Sequence, residues 1–112
     1  MQVQYIRMKY SKEYILGKIK ETLRQVAPDA KVILFGSRAR NDARPDSDWD
    51  LLVLIEKDKI REEDHDNIAY PLVELGWTLD EKINPILYTF NEWSKRSFTI
   101  FHKNVEEEGV II

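Results

Sequence analysis

The chain has 112 residues, enough for one ordinary domain and too few for a two-domain enzyme. Hydrophobic residues make up 43% and charged residues 33%, the balance of a folded, water-soluble chain. A net charge of −3 argues against a broad cationic surface, so direct nucleic-acid binding is not expected. The absence of cysteine excludes disulfides, thiolate chemistry and Cys-based zinc sites. The start, Met1-Gln2-Val3-Gln4-Tyr5, shows no signal peptide, and no apolar run approaches membrane-spanning length. The expected setting is therefore the cytoplasm, with no membrane, and the expected organisation is a single domain over residues 1–112.

The first predicted element is a helix over residues 11–26. Ser11 supplies a cap, and Tyr14, Ile15, Ile19, Leu23 and Val26 form one apolar stripe before Pro28-Asp29 stops it. Ala30 to Phe35 reads as a buried strand. Gly36-Ser37 turns the chain, with Ser37 as the cap of a short helix to Ala43, and residues 42–47 read as loop. Trp49 to Ile55 is a second, almost wholly apolar strand.

Residues 60–79 read as a helix in which Pro71 forces a kink or break near Ala69-Tyr70, or else as two shorter helices. A third strand runs from Lys82 to Phe90, and Pro85 within it indicates a sheet edge or a strand start. Asn91 reads as the cap of a short helix. Residues 97–108 follow as a last helix with Phe98, Phe101 and Val105 as its stripe, ended by Gly109. Val110-Ile111-Ile112 is an apolar tail, to be added to the sheet or docked on another chain. This order predicts an α/β (α+β) fold, a small mixed sheet covered by helices. The first two strands would pair antiparallel, and the long helical crossover makes the third parallel.

The chemistry concentrates in residues 36–50. A Gly-Ser pair, Gly36-Ser37, is followed after ten residues by Asp48-Trp49-Asp50. Residues two apart in a strand point the same way, so both carboxylates converge while Trp49 faces the other side. Such a pair of hard anions suits Mg²⁺ or Mn²⁺. Gly36 admits a close backbone approach, Ser37 offers a hydroxyl and an N–H, and Arg38, Arg40 and Arg44 lie close enough in sequence to neutralise polyphosphate. Taken singly, a Gly-Ser turn or an Asp-x-Asp pair is commonplace, and Asp42 and Asp46 read as turn residues. His65 and His102 have no companions for a metal site. Tyr70, Trp77 and Trp93 read as core or half-core aromatics, with a partner surface as the alternative for Tyr70 and Trp77.

The spacing and text of this run resemble the signature of the DNA polymerase beta-like nucleotidyltransferase superfamily. The resemblance is closest to its minimal nucleotidyltransferases, with Gly-Ser-x-Ala-Arg-Gly followed by Ser-Asp-x-Asp-Leu. Here the text is Gly36-Ser37-Arg38-Ala39-Arg40-Asn41, then Ser47-Asp48-Trp49-Asp50-Leu51. The closing run Lys103 to Gly109 fits the same branch. The resemblance implies the polymerase beta-like fold, a nucleoside triphosphate such as ATP held by Gly36 and Ser37, and divalent metal on Asp48 and Asp50. It implies transfer of a nucleoside monophosphate to a hydroxyl of a protein or small molecule. The third carboxylate of the family, from the strand after the crossover helix, falls at Asn84; the nearest acid is Asp80. Asn84 cannot act as a base. Small relatives often pair with a helical protein of the HEPN class in toxin–antitoxin modules. The resemblance therefore also implies an antitoxin, acting by binding or adenylylating that partner, as the alternative to a free-standing enzyme. A homo-oligomer and a nucleotide-binding remnant without catalysis remain further alternatives.

Overall fold

The computed structural model describes residues 10–112; the leaderless reading of Met1 to Tyr5 lies outside them. Helix α1 spans Lys12–Val26, capped by the Ser11 hydroxyl, which accepts from the Tyr14 N–H. Strand β1 (Lys31–Phe35) leads through Gly36 into the single-turn helix α2 (Ser37–Arg40), and β2 runs over Trp49–Ile55. The crossover comprises α3 (Glu62–Asp64), a π-helical turn over His65–Ala69, and α4 (Tyr70–Leu79). Strand β3 (Ile83–Thr89) is followed by α5 (Phe90–Ser94), α6 (Ile100–Glu108) and the two-residue β4 (Val110–Ile111).

The sheet order is β3-β2-β1-β4, with β1 antiparallel to β2 and β4, and β2 parallel to β3. The predicted mixed sheet and both pairings are as expected. Pro85 lies on an edge strand, where its missing N–H costs least. The C-terminal tail adds to the sheet: Ile33 pairs with Ile111, and the Ile112 N–H donates to the Val32 carbonyl at 3.0 Å. Strand alternation divides the core between two faces. Ile15, Ile19 and Leu23 of α1 and Ile68, Leu72 and Leu79 of the crossover cover Val32, Leu34, Trp49, Leu51 and Val53 on one face. Trp93 of α5 and Val105 of α6 cover Ile33, Leu52 and Leu54 on the other.

The irregularity expected near Ala69-Tyr70 is present, as a change from a π-helical turn to α4 rather than as a gap between helices. The turn before Pro71 widens, so that the Tyr70 N–H reaches back to the His65 carbonyl, and this irregular turn precedes the residue that cannot donate. Several local expectations are corrected. Thr89, not Asn91, caps α5, because its hydroxyl accepts from the Glu92 N–H while the Glu92 carboxylate accepts from the Thr89 N–H. Helix α6 starts at Ile100 behind a Thr99 cap, leaving Phe98 before the helix and 85% exposed rather than on its stripe. Tyr14 lies outside the core, stacked on Tyr10. Trp93 is buried, whereas Tyr70 and Trp77 form an edge-to-face pair at 5.9 Å and stand 48% and 66% exposed on α4. Among the described residues no helix is long and apolar enough to cross a membrane.

Candidate functional site

The two halves of the signature meet because β1 and β2 are antiparallel neighbours. Phe35 pairs with Asp50, which sets Gly36, the next residue, against the Asp50 carboxylate. Gly36 has φ 74° and ψ −158°, a conformation open essentially to glycine alone. A side chain there would place its Cβ 2.5 Å from Asp50 Oδ2. Glycine is thus required twice, by its backbone angle and by the approach of the carboxylate. Gly36 rather than Ser37 caps α2: its carbonyl accepts from the Ala39 and Arg40 N–H groups, and Ser37 is the first helical residue. Asn41 ends the turn in the left-handed conformation (φ 62°), which asparagine tolerates better than most residues. Lys12 holds this end from α1, donating to the Arg38 carbonyl at 2.9 Å and to Asn41 Oδ1 at 2.8 Å.

Trp49 is buried on the α1/α4 face, so strand alternation turns Asp50, the next residue of β2, to the opposite side; Asp48 immediately precedes the strand. Asp48 is exposed and Asp50 half-buried. In the parallel pairing of β2 with β3, Asp50 stands opposite Asn84, whose Nδ2 donates to Asp50 Oδ1 at 3.1 Å. Asp80 belongs to a different place. It closes α4 in a left-handed conformation and lines a cleft with Trp77, Pro45, Asp46 and Lys82.

Arg38 and Arg44 line one pocket with Lys12 and Trp49, and Arg40 is not among its lining residues. Arg38 turns to the Trp49 face, with its guanidinium 4.5 Å from the indole centroid and 3.8 Å from the buried Glu81 carboxylate. Its Nη2 also donates to the carbonyls of Ser47 (3.0 Å) and Pro45 (3.3 Å). Arg40 is paired with Asp42 (3.2 Å) and with Glu108 at the end of α6 (3.3 Å); the Asp42 carboxylate holds its guanidinium above the ordinary value. Arg44 is exposed on the loop, where its N–H donates to Ser47 Oγ at 2.8 Å. The contact between Trp49 and Glu81 is not legible in the sequence, because its indole N–H to carboxylate bond of 3.4 Å joins residues 32 positions apart.

At the strand end the Asp50 carboxylate meets the Asn84 amide, with Asp48 two residues before it in sequence; among the described residues no three His, Cys, Asp or Glu side chains gather as a metal site. Asp48 and Asp50 would suit Mg²⁺ or Mn²⁺ only in the manner of one or two carboxylates acting together with substrate phosphates, not as an all-protein cage. The histidines take no part. His65 is exposed, and His102 stacks on Trp93 at 4.5 Å with Nε2 3.9 Å from Glu106.

Comparison with known proteins agrees with this geometry. The family model described as "Nucleotidyltransferase domain" matches residues 16–110. A protein of Methanocaldococcus jannaschii that carries the provisional name protein adenylyltransferase is 33% identical over 82 residues, covering 73% of this chain and 76% of that protein. A solved structure provisionally described as a minimal nucleotidyltransferase superposes with a TM-score of 0.62 at 25% identity, over 96% of this chain and 100% of that one. A toxin–antitoxin structure with AMP-PNP superposes with a TM-score of 0.61 at 22% identity, over 90% of this chain and 72% of that one. The chain belongs to the nucleotidyltransferase domain family, with the fold of its minimal, DNA polymerase beta-like members.

Proposed function

We propose that this chain is the nucleotide-binding, antitoxin-type partner of a small helical protein of the HEPN class, with weak nucleotidyl transfer of its own. The pairing of Asp50 with Asn84 carries this reading. Where the family resemblance calls for a third carboxylate, the chain has a neutral amide, and an amide oxygen is too weak a base to take a proton from an attacking hydroxyl.

The remaining parts suit nucleotide binding. The Gly36 backbone and the Ser37 hydroxyl would hold the triphosphate of ATP or another nucleotide, and Asp48 and Asp50 would hold Mg²⁺ or Mn²⁺. A divalent cation bound there would neutralise phosphate charge and orient an acceptor oxygen toward the α-phosphorus, with pyrophosphate as leaving group. The exposed Tyr70–Trp77 pair supports a protein partner, since aromatic side chains are enriched in interface centres. The solved relatives include toxin–antitoxin structures, one of them with AMP-PNP. A second reading, active adenylylation of a hydroxyl on the partner, is favoured by the name of the M. jannaschii relative.

One experiment separates the two. The chain is co-expressed with its candidate helical partner, and the complex is incubated with Mg²⁺ or Mn²⁺ and ATP labelled on the α-phosphate. A stable complex with slow or no labelling, and labelling at least about tenfold faster in Asn84→Asp, is the expected result. Labelling by the wild type as fast as by Asn84→Asp would overturn the argument from the missing base and establish the second reading.

A further inference from the structure

We propose that Arg38 is the positioning residue of the site. With Trp49 and Glu81 it locks the turn after β1, the loop entering Asp48 and the lead-in to Asn84 into one arrangement, rather than touching phosphate. The inference rests on the metal–nucleotide reading of Asp48 and Asp50 given above.

The guanidinium joins three segments that are distant in sequence. Arg38 itself follows Ser37 on α2. Its Nη2 donates to the carbonyls of Pro45 and Ser47, the latter immediately before Asp48. Its planar face lies on Trp49, the residue between the two aspartates. Its charge meets Glu81, three residues before Asn84, and the same Glu81 oxygen accepts from the Trp49 indole. The Trp49 N–H in turn donates to the Lys82 carbonyl at 2.7 Å, tying β2 to the start of β3. Every part of the site therefore has a neighbour one to three residues away that contacts this cluster.

The loop needs such a fastening. Pro45 has no N–H to give, and the backbone bonds local to residues 42–47 are Asp42 N–H to Ser37 and Ser47 N–H to Arg44. The Pro45 and Ser47 carbonyls are satisfied by the guanidinium instead. Arg38 and Glu81 side chains are only 15% and 5% exposed, and Arg38 Nε is buried without a partner. Turning the guanidinium toward a phosphate would strip the Glu81 charge of this partner and uncover the Trp49 face, a heavy cost in so buried a place. Lysine is a poor replacement, because a guanidinium lies flat over the indole while its Nη2 donates to both carbonyls, and an ammonium has no flat face to present. A carboxylate pair displaced by even an ångström binds and orients its ligands poorly.

The test compares Arg38→Lys, Arg38→Met and Glu81→Gln with wild type in three measurements: Mn²⁺ affinity without nucleotide by electron paramagnetic resonance, ATP affinity with Mn²⁺, and amide chemical shifts of Asp48 to Leu51. A positioning role predicts a loss of about tenfold in nucleotide-free Mn²⁺ affinity for both Arg38 variants, with shifted Asp48–Leu51 amides and no greater loss once ATP is present. Glu81→Gln, which keeps the side-chain shape should Arg38→Met fail to fold, predicts a loss of about threefold in the same direction. Unchanged Mn²⁺ affinity with weakened ATP binding would overturn the proposal and make Arg38 a phosphate ligand. The underlying site reading has its own control. If Asp48→Asn and Asp50→Asn leave Mn²⁺ binding intact, that reading fails. If they abolish it while the Arg38 and Glu81 variants bind as wild type, the positioning role alone fails.

Discussion

Gly36→Ala separates backbone strain from side-chain collision at the meeting point of the signature. The native φ of 74° with ψ −158° costs about 1–3 kcal/mol for a residue with a Cβ. The added methyl also meets Asp50 Oδ2 at 2.5 Å and Cγ at 3.5 Å, so the carboxylate must rotate and release the Asn84 amide. Losing that charge-assisted bond at a half-exposed position adds about 1 kcal/mol. The expected destabilisation is about 2–4 kcal/mol, read as a lower urea midpoint at unchanged slope. A double-mutant cycle divides it. In an Asp50→Ala background the nearest remaining Asp50 atom, Cβ at 3.6 Å, is in ordinary contact. The cost of Gly36→Ala should then fall by about 1 kcal/mol while the backbone part persists. A cost below about 0.5 kcal/mol in either background would refute the requirement for glycine, and full additivity would refute the collision with Asp50.

The remaining predictions concern stability against pH and the outer face of α4. Asp64 is buried, which pushes its carboxyl up, but the Lys57 ammonium at 2.7 Å and the Arg61 N–H at 2.9 Å together hold it below its ordinary value. The depressed value contributes stability that is present above the unfolded-state pKa of about 4 and lost as pH falls through the folded value. Lys57→Met should therefore cost about 1–2 kcal/mol at neutral pH, discounted for the partial exposure of Lys57, in a gap that closes below about pH 4; a gap constant from pH 7 to 3 would contradict this. Trp77→Ala should leave the unfolding midpoint within about 0.5 kcal/mol of wild type, because the indole is largely exposed. It should weaken the complex with the proposed helical partner by about 2 kcal/mol, about thirtyfold in Kd by calorimetry; unaltered Kd would remove α4 from the proposed interface.

Much of the site is legible in the chain because its logic is local. Strand period two is enough to put Asp50 on the side opposite Trp49, and the loop between Ser37 and Asp48 is short enough that β1 and β2 pair antiparallel. Pro85 announces an edge strand through its missing donor, and the place of Asn84 follows once β3 is parallel to β2. Other assignments turn on competition between neighbours. Gly36 displaces Ser37 as the cap of α2 because only glycine reaches φ 74°, and Thr89 displaces Asn91 because Glu92 completes a reciprocal pair with it. Tyr70 and Trp77 look like core residues by type, but the α4 face that packs on the sheet is filled by Leu72, Gly76 and Leu79. The fate of the arginines was least legible: three cations beside a phosphate motif look alike in a sequence. Only the fold brings Glu81 to Arg38 and Glu108 to Arg40, because charge partners are set by proximity in space, and long side chains answer to the nearest acid rather than to the motif they follow. The sequence alone thus determined the mixed sheet and the place of Asn84 opposite Asp50. Tertiary packing decided which glycine angle, which cap and which charges serve the site.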